Sequence, residues 1–117
     1  MKSATGTSLQ EPTFFILLSL VQERKHGYAI LKDVAELSGG KVRLSTGTLY
    51  GALSRLLDQG YIIQLDNPGT AEGRLYPGKP RKTYEVTRLG RLALEGEAQR
   101  LSNLVKAAQA RLGESLA

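Results

Sequence analysis

Several residue types are scarce in this sequence, and each scarcity argues against a class of functional site. Cysteine is absent, which excludes disulfide bonds and thiolate metal centres. The single histidine, His26, argues against a histidine metal site or a catalytic triad unless two copies of the chain share it. The sequence also shows no paired carboxylates, no nucleophile beside a base and no phosphate-binding loop. We therefore predict that the protein is not an enzyme and uses neither a metal nor a cofactor.

Long apolar runs are missing as well. The most hydrophobic stretch, residues 14–21, is too short to span a bilayer. The stretch does not fit a signal peptide either, because an acidic residue and a proline precede it and the charged residues that follow it contain no cleavage site. These features predict a cytoplasmic protein without a membrane partner. The length of 117 residues predicts a single domain with one modest core.

Positive charge is what the chain has in excess, with a net charge of +5. Residues 74–91 contain six basic residues and one acidic residue, so this segment alone equals the excess of the whole chain. A solvated basic loop would have the same composition. The cluster lies in the loop and strand that follow a helix predicted at residues 45–59. Because that helix carries small residues and hydroxyls that suit a DNA groove, the position of the cluster favours a wing that contacts phosphates. The predicted contacts in the wing are Lys79, Arg81 and Lys82.

The candidate DNA-binding helix covers residues 45–59. Either Ser45 or Thr46 can cap its first turn, leucines follow at helical spacing, and Gly60 supplies a stop signal. The face opposite the leucines carries small residues and hydroxyls, which suit a helix in a DNA major groove. An ordinary solvated face would look similar, so both interpretations stay open. The predicted DNA contacts on this helix are Ser45, Thr46, Thr48, Tyr50, Gly51, Ser54 and Arg55.

Some of these side chains also have structural interpretations. Tyr50 either contacts DNA or packs its ring on the core and exposes only its hydroxyl. Arg55 either reaches a phosphate or a guanine edge or pairs with Asp58 or Asp33. His26 is predicted to close the turn between two helices rather than to bind a metal.

The remaining pattern predicts a mainly helical fold with a small β-hairpin. In the second helix, Tyr28, Leu31, Val34 and Leu37 are spaced to form one buried face, and we predict a structural role for Tyr28 and Tyr84. The elements around the candidate DNA-binding helix are a flexible N-terminus at residues 1–11, a core helix from Pro12 to about Arg24, a second helix from about Tyr28 to the glycines at 39–40, a short extended segment at 41–44, and strands at 61–65 and 82–86 joined by a long loop.

A long helix from about Arg88 to Leu112 is predicted to follow, with Thr87 as its cap. Its apolar residues recur at alternating spacings of four and three, which is a heptad seam. A helix of this length cannot bury its whole stripe on so small a core, which favours packing against a second copy. Folding back on its own domain is the alternative. The predicted dimerisation residues are Leu94, Ala98, Leu101, Val105, Ala108 and Leu112.

Four pieces of the sequence together resemble the PadR family of transcriptional regulators. They are His-Gly-Tyr-Ala-Ile at 26–30, Gly-Thr-Leu-Tyr at 47–50, Leu-Ser-Arg-Leu at 53–56 with Gly-Tyr-Ile at 60–62, and Pro-Arg-Lys-Thr-Tyr-Glu-Val-Thr-Arg-Leu-Gly at 80–90. The resemblance runs from about residue 12 to 95.

This resemblance implies a winged helix-turn-helix at 12–86 and a dimerisation helix at 87–117. It implies a homodimeric repressor that binds an inverted repeat in double-stranded DNA, with the helix at 45–59 in the major groove and the wing at 66–82 on the backbone or minor groove. Gly51 stands where the family commonly has proline, and the wing is longer than usual. Some small members bind flat aromatic compounds through tryptophan, which this chain lacks, so no small-molecule effector is identified.

A different class of function fits the same fold. A winged helix can serve as a protein-interaction module without a nucleic acid partner, although that role would not account for the positive charge concentrated at the wing. Steep salt dependence of DNA binding distinguishes the two hypotheses, because each neutralised phosphate adds about 0.9 to the log–log slope.

Overall fold

The computed structural model describes residues 9–67 and 81–113, which form four helices and a three-stranded antiparallel sheet. The tip of the wing, with Lys79, lies outside the described residues. The architecture confirms the prediction of a mainly helical fold with a small sheet. The elements in chain order are α1 (Glu11–Leu20), β1 (Lys25–His26), α2 (Gly27–Leu37), α3 (Thr46–Gln59), β2 (Ile62–Asn67), β3 (Arg81–Val86) and α4 (Arg88–Leu112).

Helix α1 is the central element of the core, as its apolar composition predicts. Ile16 and Leu17 are fully buried. The helix ends at Leu20 and not near Arg24 as predicted. The chain turns early because Lys25 and His26 pair with β3, while the Lys25 ammonium donates to the Ser19 carbonyl in the last turn of α1.

The sheet contains a strand that the sequence did not predict. Strand β1 has only two residues, too few to show an alternating pattern, and pairs with β3 so that the order is β1-β3-β2. The predicted hairpin is present with slightly different bounds, from the pair Ile62–Val86 to the pair Asn67–Arg81. On β3, Tyr84 is 3% exposed, which confirms its structural role.

Of the four residues predicted to form the buried face of helix α2, Val34 is buried and Leu31 is half-buried against the core, but the other two are exposed. Gly27, Ile30 and Val34 are buried, whereas Tyr28 is 67% exposed and Leu37 is also exposed. Spacings of three and four residues place the buried set on one stripe facing α1 and α3. The prediction that Tyr28 belongs to the core is therefore wrong.

Helix α4 begins and ends where predicted, but its first turns belong to the core of the domain. Leu94 is 6% exposed and packs in the same cluster as α1 and α3. Leu9 packs against this cluster, and its N–H donates to the Glu97 carboxylate at 3.2 Å. Residues 9–11 of the segment predicted to be flexible thus belong to the described structure, whereas residues 1–8 lie outside the described residues. The start of α4 shares the core of the winged helix, and the division at residue 87 stays a prediction.

The core lies where α1, α2, α3 and the start of α4 meet the sheet. Within the described ranges, no helix is both long and apolar enough to cross a membrane. The buried apolar residues are Ile16, Leu17, Leu20, Ile30, Val34, Leu49, Ala52, Leu53, Leu56, Ile62, Tyr84 and Leu94.

Candidate nucleic-acid interface

The start of α3 is capped by Ser45, which decides between the two predicted caps. Its hydroxyl oxygen accepts the Thr48 N–H at 3.1 Å and donates to the Thr48 hydroxyl at 2.9 Å. The helix ends at Gly60, whose φ of 78° is the left-handed conformation that favours glycine. Both ends of the candidate DNA-binding helix are therefore fixed by residues at the predicted positions.

The surface of α3 divides cleanly into two faces. Leu49, Ala52, Leu53 and Leu56 are buried in the core, and Leu57 is half-buried against it. The predicted contact residues lie on the solvent side, all exposed except Gly51, which is half-buried. The structure thus brings together on one surface Ser45, Thr46, Thr48, Tyr50, Gly51, Ser54 and Arg55.

Arg55 is not engaged in either of the predicted ion pairs. Asp33 lies 3.7 Å from the Lys25 ammonium, and none of the ion pairs among residues 9–67 and 81–113 includes Arg55 or Asp58. The Arg55 guanidinium lies 3.8 Å from the point where a side chain at Gly51 would begin. The small residue at 51 thus leaves open surface beside a cation that is available to an anionic partner.

Tyr50 joins α3 to the start of α2. Its hydroxyl lies so close to Gly27 that a β-carbon at that position would collide with it. Tyr50 is 46% exposed as a whole, and its hydroxyl is the group that meets the start of α2. This arrangement differs from the predicted alternative in which the ring is packed on the core and the hydroxyl alone is exposed. Burial, and secondarily the nearby Tyr50, raise the pKa of the Tyr84 hydroxyl. Tyr50 therefore positions α3 as well as contributing to its outer surface.

His26 has the role that the sequence predicts for it. It is the N-cap of α2, and its Nδ1 accepts the Ala29 N–H at 3.4 Å. Among the described residues, no group of three or more histidine or acidic side chains is arranged to hold a metal ion.

Only the base of the wing is described. Lys82 is exposed at the start of β3 and lies opposite Asp66 in the register, while the Arg81 backbone pairs with Asn67. Arg91, which is part of the basic segment, donates from its guanidinium to the carbonyl of Val21 at 3.1 Å. That residue ties α4 to the end of α1, so not every charge of the basic segment is free for a partner.

The predicted dimerisation residues fall into two groups. Leu94 is used by the domain's own core, which corrects its assignment to the seam. The others lie further along α4, where Leu101, Val105 and Leu112 are 38%, 45% and 60% exposed. Ala98 is exposed and Ala108 half-buried.

The site combines a capped helix, whose hydroxyls and arginine face solvent, with a pair of strands beside it. Comparison with known proteins shows to which family a chain with this arrangement belongs. Residues 16–96 match the transcriptional regulator PadR-like family. The chain belongs to the PadR-like family of transcriptional regulators. Membership confirms the resemblance found in the sequence and the prediction that the protein is not an enzyme.

The PadR-like chain is 35% identical over 71 residues to a transcriptional regulator of Mycobacterium tuberculosis, a match covering 61% of this chain and 60% of that protein. It spans between 22% and 60% of the length of the curated relatives that it matches.

Solved structures share its fold. A PadR family transcription regulator from Clostridium difficile has a TM-score of 0.72 at 25% identity and covers 90% of this chain and 100% of its own. Bacillus subtilis PadR in complex with operator DNA has a TM-score of 0.61 at 24% identity and covers 74% of this chain and 46% of its own.

Proposed function

We propose that this PadR-like regulator is a homodimeric repressor that binds an inverted-repeat operator in double-stranded DNA. Helix α3 enters the major groove, and the wing at 66–82 lies on the backbone or in the minor groove. The observation that carries the proposal is the outer face of α3, where hydroxyls and Arg55 form one exposed surface. Within the part of the chain that the structure describes, Arg55 takes part in no ion pair. Hydroxyls position a protein on phosphates, and arginine reads guanine edges in the major groove.

The fold supports a nucleic acid partner. The Bacillus subtilis protein that shares it was solved in complex with operator DNA. The net charge of +5 favours association with a polyanion.

A second copy is the proposed partner of the outer half of α4. That half presents Leu101, Leu104 and Val105 to solvent, each more than a third exposed. A symmetric dimer buries the same face of both helices. It also places its two groove helices about 34 Å apart, one turn of DNA, which is why the operator should be an inverted repeat.

Selection of binding sites from a pool of random duplexes at near-physiological salt, followed by sequencing, tests the proposal. Enrichment of an inverted repeat with half-sites one turn apart is the expected result. Binding without enrichment would indicate a nonspecific architectural role. Absence of binding would contradict the proposal and favour a winged helix that recognises a protein partner. A reporter gene placed behind the recovered site then distinguishes repression from activation.

A further inference from the structure

The segment that joins α2 to α3 carries two exposed cations that the sequence did not mark as contacts. Lys41 and Arg43 are exposed, whereas Val42 and Leu44 between and after them are half-buried and pack against the core. The inward anchoring of alternate residues holds the two cations on the outside. This alternation continues to the exposed Ser45, which caps α3.

The joining segment is also fixed at its other end. The Val42 N–H donates to the Ser38 hydroxyl at 2.8 Å, and the Lys41 N–H donates to the Ser38 carbonyl at 3.3 Å. Gly39 and Gly40 make the turn with φ of 67° and 83°. The backbone that carries the cations is thus held in place before any partner binds, which lowers the ordering cost of binding.

Arg43 lies over this turn. One terminal nitrogen of its guanidinium is 3.3 Å from the point where a side chain at Gly40 would begin. Arg43, Lys32 and Glu36 together line a shallow depression beside the turn. The ion pairs among residues 9–67 and 81–113 include neither Arg43 nor Lys41. Both side chains are exposed, and Glu36 is the acidic residue that shares the depression with Arg43.

We infer that Lys41 and Arg43 bind the DNA phosphates that flank the groove entered by α3. This inference rests on the proposed function. Recognition helices contact base edges with their N-terminal residues, so the residues just before Ser45 lie where the chain passes the sugar–phosphate strand. Arg43 is two residues before Ser45, which is at most about 7 Å along an extended chain. Contacts of this kind fix the register of α3 without reading sequence.

The salt dependence of binding measures these contacts directly. The probe is a labelled duplex of about 30 base pairs with random sequence, titrated by fluorescence anisotropy between about 50 and 300 mM KCl. For Arg43→Gln, we expect the log–log slope to fall by about 1.8 per dimer, which is about 0.9 for each of two lost phosphate contacts. Lys41→Gln should act in the same direction.

Two further variants separate this role from a change in folding. Arg43→Lys keeps the charge and should restore most of the slope. Lys106→Gln removes one exposed charge from α4, away from the joining segment and off the predicted seam, and should leave the slope unchanged. Thermal unfolding and the mass in solution should match the wild type for all four variants.

The outcomes distinguish this inference from the proposed function. A slope that falls for Arg43→Gln and recovers for Arg43→Lys supports phosphate binding by the joining segment. An unchanged slope for Arg43→Gln and Lys41→Gln, with a wild type that binds the duplex, overturns the inference and leaves DNA binding by α3 in place. A wild type that binds the duplex at no salt concentration overturns both.

Discussion

The Thr87 hydroxyl donates a hydrogen bond to the carbonyl oxygen of Gly60 at 2.7 Å, and the same hydroxyl oxygen accepts the Gly90 N–H at 3.0 Å. The Thr87 N–H also donates to the carbonyl of Tyr61 at 3.0 Å. One residue therefore caps α4 and fastens it to the turn that ends α3. Thr87 thus directly joins the helix proposed to form the dimer to the end of the helix proposed to enter DNA.

Removal of this hydroxyl should destabilise the fold. We expect Thr87→Val to lower the free energy of unfolding by about 1 to 2 kcal/mol, because the cap is lost and the Gly60 carbonyl loses its donor. Thr87→Ser keeps the hydroxyl and should lie close to the wild type. Urea unfolding at one fixed protein concentration gives the comparison, since oligomerisation makes stability depend on concentration. Equal effects of the two variants would assign the role to packing of the side chain.

Two glycines of α4 should respond in opposite directions to the same substitution. A β-carbon at Gly90 would collide with the Tyr61 carbonyl and approach the Val86 methyl at 2.9 Å, whereas Gly96 faces open space. Gly90→Ala should therefore destabilise the protein by about 1 to 3 kcal/mol. Gly96→Ala should stabilise it by up to about 1 kcal/mol through helix propensity. Denaturant midpoints measured under matched conditions test the sign of each effect, and a stabilising Gly90→Ala would contradict the observed close approach.

The helices with strong local end signals were the ones that the sequence predicted best. Ser45 and Gly60 bound α3, and Thr87 begins α4, because each of these residues satisfies backbone groups within its own few neighbours. The features that the sequence did not show depend on distant residues. Strand β1 exists only through β3, and α1 ends early where Lys25 reaches back to it.

The features of the candidate site also divide into those that the local sequence predicts and those that depend on distant residues. The outer face of α3 follows from helical spacing, so the exposure of its proposed contact residues was predictable. The exposure of Lys41 and Arg43 follows from how Val42 and Leu44 seat on the core, which spacing alone does not reveal. Likewise, Tyr28 has an apolar ring at a helical position, yet the rotation of α2 leaves it in solvent.

Contact between Gly27 and Tyr50 should be detectable as coupling between two substitutions. Gly27→Ala alone should destabilise the protein, because the new methyl meets the Tyr50 hydroxyl. Tyr50→Phe removes that hydroxyl, so the double variant should lose less free energy of unfolding than the two single variants lose together. The expected interaction free energy is about 0.5 to 3 kcal/mol, the range for residues in contact. A double-mutant cycle by urea unfolding measures it, and additive effects would place the hydroxyl elsewhere.

The proposed dimer seam predicts a change of mass on charge insertion. Leu101→Asp and Val105→Asp place carboxylates on the exposed apolar face of α4, and burial of an unpaired charge in an interface is strongly unfavourable. Light scattering should show monomers for these variants and dimers for the wild type. Ser102→Asp adds the same charge to an exposed position off the seam and should stay dimeric. Unchanged mass for all three would mean that the interface lies elsewhere.

The buried carboxylate of Glu97 predicts a stability that depends on pH. Glu97 is 6% exposed. The hydrogen bond from Arg100 holds its pKa below the ordinary value of 4.5, assisted by the Leu9 N–H and opposed by burial. Because the pKa of Glu97 is lower in the folded state than in the unfolded chain, its contribution is complete above the unfolded pKa and is lost as the pH falls through the folded one.

Glu97→Gln should therefore be less stable than the wild type near neutral pH, and the difference should shrink as the pH falls below about 4. Glu95→Gln changes the same group on an exposed position of α4 and should produce a smaller difference at neutral pH. Urea unfolding of the three proteins at a series of pH values provides the measurement. If the difference in stability between Glu97→Gln and the wild type stays constant from neutral to acid pH, the amide replacement acts through packing. The charged pair with Arg100 would then not stabilise the junction of α1 and α4.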